Sequence, residues 1–284
     1  MIRAGGGQGR GQLPADDHVH TQFSYDTGPD ASMLASCARA VALGIPAVAF
    51  TEHLDFTVWG PGDARPAGVT GRSADFIAPI DLAGYHASVA ECRERFPDLL
   101  VRSGVEAGEP HLFPGSVAAV LRSGTFERVV GSLHAVAHES GLVEVDALYD
   151  VLPADEVMDR YVAELLRLVE GSDVFEVLGH VDYPRRYRPA GPPPYDEARH
   201  EEGYRAVLRA LASSDRVLEI NTKSPLASLR LLGWWRDAGG RALSFGSDAH
   251  QPWLVGTAFD RAVAVAHAAG FRPGRRPVDF WVSA

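Results

Sequence analysis

Asp16-Asp17-His18-Val19-His20, Phe50-Thr51-Glu52-His53, Ser103-Gly104-Val105-Glu106 and Gly131-Ser132-Leu133-His134 each end a short apolar run in a side chain that binds metals. The pattern continues through Leu178-Gly179-His180-Val181-Asp182, Glu219-Ile220-Asn221 and Gly246-Ser247-Asp248-Ala249-His250. The runs, near residues 15–19, 46–51, 99–105, 128–133, 174–179, 216–220 and 243–247, have the length and apolar content of buried strands. Helix-like stretches lie between them at 32–43, 82–95, 154–170, 196–212 and 226–238. Strand–helix alternation predicts an α/β fold with a parallel sheet. Seven such strands, each leading into a functional-looking turn, predict a closed or nearly closed barrel; an open doubly wound sheet is the alternative.

Composition narrows the class. A chain of 284 residues, 46% apolar and 23% charged, suits one large soluble domain. No apolar run approaches the roughly 20 residues of a membrane helix. Residues 1–13 are glycine-rich without an apolar core, so they read as a flexible lead-in rather than a secretory signal, with one domain over 14–284. The Pro/Gly-rich segments at 60–71 and 184–194 read as loops over the active-site face. Two cysteines, Cys37 and Cys92, without CxxC spacing argue against a structural disulfide and for the cytoplasm. A net charge of −10 argues against a long nucleic-acid track.

On a strand, residues i and i+2 face one side about 7 Å apart, so His18 and His20 can close on one ion. A lone His-x-His is weak, since most such pairs are surface or core histidines. Position changes this: six of eleven histidines fall at or just past expected strand ends, and in a parallel barrel those ends share one face. The donors are nitrogen and oxygen, which suits Zn, Mn, Fe or Co. They are too many for one ion, so two to three divalent transition-metal ions are expected, with a shared carboxylate spanning two ions ~3.5–4 Å apart.

From about residue 14 to the C-terminus the chain resembles the PHP (polymerase and histidinol phosphatase) family, in particular its histidinol-phosphatase-type members. The resemblance rests on HVHTQFSYD (18–26), AFTEHLDF (49–56), GVEAGEP (104–110), GSLHAV (131–136), LGHVDYPRRY (178–187), LEINT (218–222) and FGSDAH (245–250), in that order. It implies a distorted seven-stranded (β/α)7 TIM-like barrel with three metal ions at its C-terminal face. It further implies a first ion on His18, His20, Glu106 and Asp248, and a second on Glu106, His134 and His180. A third would take Asp26, His53 and His250. The family often carries histidine where Asp26 stands, which exchanges one nitrogen donor for oxygen.

The expected chemistry is hydrolysis of a small phosphate monoester, because clustered cations bind and stabilise a transferring phosphoryl group. A hydroxide bridging two ions is the expected nucleophile, and Asp248 and His250 stand nearest for proton handling. Arg185 and Arg186 are candidates to clamp phosphate, and Asn221 to bind substrate or orient a ligand. Asp182 and Glu52 are candidate outer-shell partners of the histidines. Histidinol phosphate is the substrate that the resemblance implies, with Glu52, Asp55, Trp59 and Tyr25 as candidates to meet its imidazole and ammonium. His86, His200 and His267 are expected at the surface, His111 and His138 in loops within reach of the site. The tandem Trp234-Trp235 is expected in the core, and 272–277 as a solvated basic loop. Three other readings stand: a family nuclease or nucleotide phosphatase, which needs a basic aromatic track; an eight-stranded amidohydrolase, which often bridges its ions through a carboxylated lysine; and a non-catalytic metal-binding regulatory module.

Overall fold

The computed structural model describes residues 13–57, 80–139, 141–191, 193–223 and 226–284. Trp59, the segment 60–71 and all of the lead-in but Leu13 lie outside the described residues. In chain order the elements are β1 (Asp16–Val19), α1 (Met33–Leu43), β2 (Ala47–Leu54), α2 (Leu82–Arg95), β3 (Leu100–Gly108), α3 (Pro114–Ser123) and β4 (Arg128–Ser132). A short hairpin of β5 (Ala135–His138) and β6 (Gly141–Glu144) follows, then α4 (Val145–Leu148), α5 (Ala154–Gly171) and β7 (Val177–Leu178). The chain continues with α6 (Glu201–Ser213), β8 (Val217–Asn221), α7 (Leu229–Asp237), β9 (Ala242–Gly246), α8 (Phe259–Ala268), β10 (Phe271–Arg272) and β11 (Trp281–Ser283).

Local chemistry sets the helix ends. Ser32 caps α1 by accepting from Ala35 N, and Gly44, at φ 77°, closes it by donating to the carbonyls of Ala40 and Val41. Asp81 and Ser228 cap α2 and α7 in the same way. Along α5, Val157, Met158, Tyr161, Val162, Leu165, Leu168 and Val169 recur every three to four residues and are buried. The expected helix over 196–212 is instead a 3₁₀ turn, Glu197–His200, followed by α6. His200 at the junction is buried, not at the surface as expected, because its Nδ1 pairs with Asp159 at 2.7 Å and its ring stacks on Tyr195.

The architecture is a mixed α/β fold around one curled sheet. Strands β1, β2, β3, β4, β7, β8 and β9 run parallel in that order, and β11 then β10 extend it antiparallel. Curling brings the ends of β1 and β9 together: Val19 and Ala249 form a parallel bridge, Asp248 N donates to His18 O, and His20 N donates to Ala249 O. Asp16 adds two stitches by accepting from Ser247 N and Gly256 N. At the opposite end β9 pairs with β11. There Asp17 accepts from Arg102 at 2.9 Å and from Arg128 at 3.3 Å, Arg102 also donates to Val278 O, and Arg128 lies over the Phe280 ring. Buried Val130, Val177 and Val217 pack beside Phe280. This end is therefore filled by side chains, and the other end is left for chemistry. Trp234 and Trp235 are both buried.

Candidate active site

The parallel strands end around a cavity of roughly 360 Å³, whose lining includes Asp26, His53, Glu106, His134, His180, Asp248 and His250. His18 and His20, at the end of β1, lie beneath that lining and are almost fully buried. Register explains the gathering. In β2 and β3, His53 and Glu106 are direct partners, and Glu106 holds the centre. Its Oε1 lies 2.8 Å from His180 Nε2 and 3.3 Å from both His18 Nε2 and His134 Nε2. Its Oε2 lies 3.0 Å from His53 Nδ1 and 3.4 Å from His20 Nε2. Asp26, from the loop after β1, reaches His250 Nε2 at 2.9 Å and His53 Nε2 at 3.5 Å. Asp248 lies 3.6 Å from His20 Nε2 and 3.4 Å from His250 Nδ1. It adopts φ 51°, a left-handed conformation that aspartate tolerates better than most residues.

Other side chains fix these rings. Glu219 Oε1 pairs with His18 Nδ1 at 2.7 Å, while its Oε2 accepts from His180 N at 2.7 Å and from Asn221 Nδ2. Asp55 reaches His53 Nδ1 and His134 Nδ1, each at 3.2 Å, and accepts from Tyr25 Oη. Glu109 accepts from the backbone of His134 and Ala135, and burial pushes its carboxyl up to about 7. Such outer partners set ring orientation in metal sites.

Electrostatics divides the donors: against burial, the Glu219, Asp26 and Asp55 carboxylates raise His18, His53 and His134 respectively well above the ordinary histidine value, while His20 and His180 are lowered. Burial disfavours charge on Glu106, yet the His18 and His134 imidazoles outweigh it and hold the carboxyl well below the usual range. Asp248 is likewise held low against burial, by Arg186 and Lys223. Burial, with the neighbouring His53 and His250, keeps His20 well below its ordinary value. Burial lowers His180 to about 4. Neutral imidazole is the form that ligates.

The donor set fits divalent transition cations. Four overlapping triplets bring their donor atoms within 4.8 Å of one another: His18–His20–Asp248, Glu106–His134–His180, His20–His53–His250 and His53–Asp55–His134. His18 Nε2 faces His20 Nε2 at 3.1 Å, an arrangement in which a shared cation satisfies both lone pairs. Among the described residues Asp26 Oδ1 is buried and accepts no hydrogen bond, its facing imidazole nitrogen, His53 Nε2, lying 3.5 Å away, a costly state that a bound cation relieves.

The remaining expected residues divide. Arg186 lines the cavity and reaches Asp248 Oδ2 and Asn221 Oδ1, each at 2.7 Å. Arg185, on the same 3₁₀ turn, points elsewhere: it pairs with Asp182 at 2.6 Å and lies over the Tyr195 ring. Asn221 is buried behind the wall, joining Arg186, Glu219 and the Lys223 backbone. Among the described residues Asp182 thus supports Arg185 and no histidine. Glu52 alternates with His53 to the other side of β2, where it accepts from Thr21 and Ser24; Ser24 Oγ in turn lies 3.0 Å from His20 Nδ1. His111 pairs with Glu164 on α5 and His138 with Arg160, and neither lines the cavity. Unforeseen at the cavity are Lys223, Glu144, Asp146, Tyr183 and Tyr187. Glu219 and Asp55 stood in the motifs, but their role as carboxylate partners of ligand-type histidines went unassigned. Their signal was a second carboxylate two residues from a strand-end polar group, on the same strand face.

Comparison with known proteins places this geometry in context. The model of the PHP domain matches residues 16–223. Histidinol-phosphatase of Lactococcus lactis subsp. lactis is 28% identical over 269 residues, covering 90% of this chain and 91% of its own. A protein named probable histidinol-phosphatase of Thermotoga maritima is 30% identical over 255 residues, covering 87% and 89%. The crystal structure of histidinol phosphate phosphatase from Lactococcus lactis, complexed with zinc, L-histidinol and phosphate, superposes with a TM-score of 0.76 at 25% identity, covering 92% of this chain and 95% of that one. With its strand-end histidines and carboxylates gathered on one face and the PHP model matched over most of its length, this chain belongs to the PHP-domain family.

Proposed function

We propose that this protein is a metal-dependent phosphomonoesterase that hydrolyses L-histidinol phosphate to L-histidinol and phosphate. The observation that carries the reading is one cavity in which a buried histidine–carboxylate cluster meets two cationic side chains, Arg186 and Lys223. The opposite character is present too: Glu144, Asp146, Tyr25, Tyr183 and Tyr187 line the same cavity and suit an ammonium and an imidazole. A small dipolar phosphate ester matches both halves, and the chain's net charge of −10 disfavours a nucleic-acid substrate.

His18, His20, Glu106 and Asp248 would hold one cation, with Glu106 shared to a second on His134 and His180. Asp26, His53 and His250 would hold a third. Bound divalent cations supply Lewis acidity and neutralise charge on the phosphoryl oxygens. The chain's own residues do the rest. Arg186 presents a planar donor fork to phosphate from a buried, pinned position. Asp248 and His250, both in the cavity wall, are the residues assigned to proton handling at the leaving oxygen. Glu219 and Asp55 keep the imidazoles in register. Within this reading the parallel strands, closed by the Val19–Ala249 bridge, form a distorted (β/α)7 barrel and residues 14–284 make one domain. The enzyme would work in the cytoplasm, and no helix among the described residues is long and apolar enough to cross a membrane.

The test is phosphate release from histidinol phosphate by metal-loaded protein, beside a chelator-treated sample. Chelator-sensitive turnover with kcat/KM at or above about 10⁴ M⁻¹s⁻¹ is expected of a cognate pair. No release from the loaded protein overturns the substrate assignment.

A further inference from the structure

Lys223 is the only lysine among 27 basic residues, and it stands in the wall of the active-site cavity. It follows β8 by two positions, and its backbone N–H donates to Asn221 Oδ1 at 3.0 Å. The same oxygen accepts from Arg186 Nη2 at 2.7 Å. Asp248 is shared in parallel: Arg186 Nη2 lies 2.7 Å from Oδ2, and Lys223 Nζ lies 3.3 Å from Oδ1. Nζ also lies 3.2 Å from His250 Nδ1. Two cations from different strand exits thus meet on one wall, tied by one amide and one carboxylate.

Their exposure differs. The Arg186 side chain is 8% exposed, whereas that of Lys223 is 38% exposed. Arginine there is a fixed fork; lysine is a compact point charge on a flexible stem. A partly exposed lysine–carboxylate pair contributes little to stability, so a purely structural role explains the placement poorly. A ligand anion entering the cavity meets both charges.

We propose that Lys223 is a substrate-contacting residue whose ammonium closes on the phosphoryl group beside the Arg186 guanidinium. The assignment rests on the phosphatase reading and adds a binding and specificity determinant to it: the site selects a phosphate dianion over neutral or singly charged esters. Arg186 provides the pinned contact, and Lys223 the one that moves with the ligand.

Because Lys223 is the only lysine, its labelling is easily read. Metal-loaded full-length protein is acetylated with an N-hydroxysuccinimide ester, with and without inorganic phosphate, and the Lys223 peptide is quantified by mass. At phosphate about ten times its Kd, mass action protects the amine about tenfold, while a free lysine derivative added as reference reacts equally in both samples. Lys223→Met is expected to raise KM for histidinol phosphate about tenfold and to lower kcat by less, with Lys223→Arg recovering much of the loss. Equal acetylation with and without phosphate, or an unchanged KM in Lys223→Met, overturns the assignment. Should the wild-type protein release nothing from histidinol phosphate, the substrate reading fails, and protection by inorganic phosphate still decides the role of the lysine.

Discussion

His53 and Glu106 are Cα partners across β2 and β3, and His53 Nδ1 lies 3.0 Å from Glu106 Oε2. Strand register therefore places the most central carboxylate opposite an imidazole, and a slip of one residue would turn both to the wrong face. Glu106 also reaches His18, His20, His134 and His180. Glu106→Gln keeps the volume and removes the charge. It is expected to reduce bound metal and to lower turnover by more than the roughly 10–100-fold typical of an outer-shell substitution. Metal content by elemental analysis, read beside activity, checks this; full occupancy with wild-type turnover would refute the central role.

Glu219 tests the outer layer. It grips His18 Nδ1 with one oxygen and the His180 backbone with the other, each at 2.7 Å. Burial works against its charge, but the His18 imidazole holds the carboxyl below the usual glutamate value. Glu219→Gln should leave the fold intact and weaken metal binding by about 10–100-fold. A competition titration with a chelator measures it directly. An unchanged metal affinity would mean that β1 alone orients His18.

The gathering of the histidines was legible because each sits beside an apolar run whose period and length mark a strand, and parallel strands end on one face. The curled parallel sheet followed from the same alternation. What escaped depends on tertiary partners. Asp55 lies two residues past His53, but its second partner, His134, comes from beyond β4. Glu144 ends a hairpin of four-residue strands and Asp146 stands in the four-residue α4 that follows, elements too short to show a period. β11 is three residues long and pairs with β9 across some forty positions of sequence. Arg185 and Arg186 are neighbours in sequence but diverge on a 3₁₀ turn, so adjacency could not say which one faces the cavity.

Gly246 joins fold to site. A Cβ there would fall 2.1 Å from Glu219 Oε1 and 2.5 Å from His18 Cβ. No rotamer of the added methyl avoids this, so His18 or Glu219 must shift. Gly246→Ala is expected to cost about 1–3 kcal/mol, as overpacking in a dense interior does. Metal affinity should fall with it, because the displaced ring is a donor. Denaturant midpoints and chelator titration read the two effects. A stable variant that binds metal normally would show that β9 can move away from β1 without cost.

The pair between His111 and Glu164, away from the cavity, predicts a pH dependence of folding. His111 Nε2 lies 2.8 Å from Glu164 Oε1, and Arg167 donates to Oε2 at 2.8 Å. The hydrogen bond from His111 is the main influence holding the Glu164 carboxyl below its ordinary 4.5. A carboxyl depressed in the folded state stabilises the fold above its unfolded value, and that contribution fades as pH falls through the folded one. Glu164→Gln should therefore lower Tm most near neutrality, with the gap to wild type closing as pH falls from about 5 towards 3. A gap that stays constant over that range would assign the effect to packing of α5 rather than to the charge on Glu164.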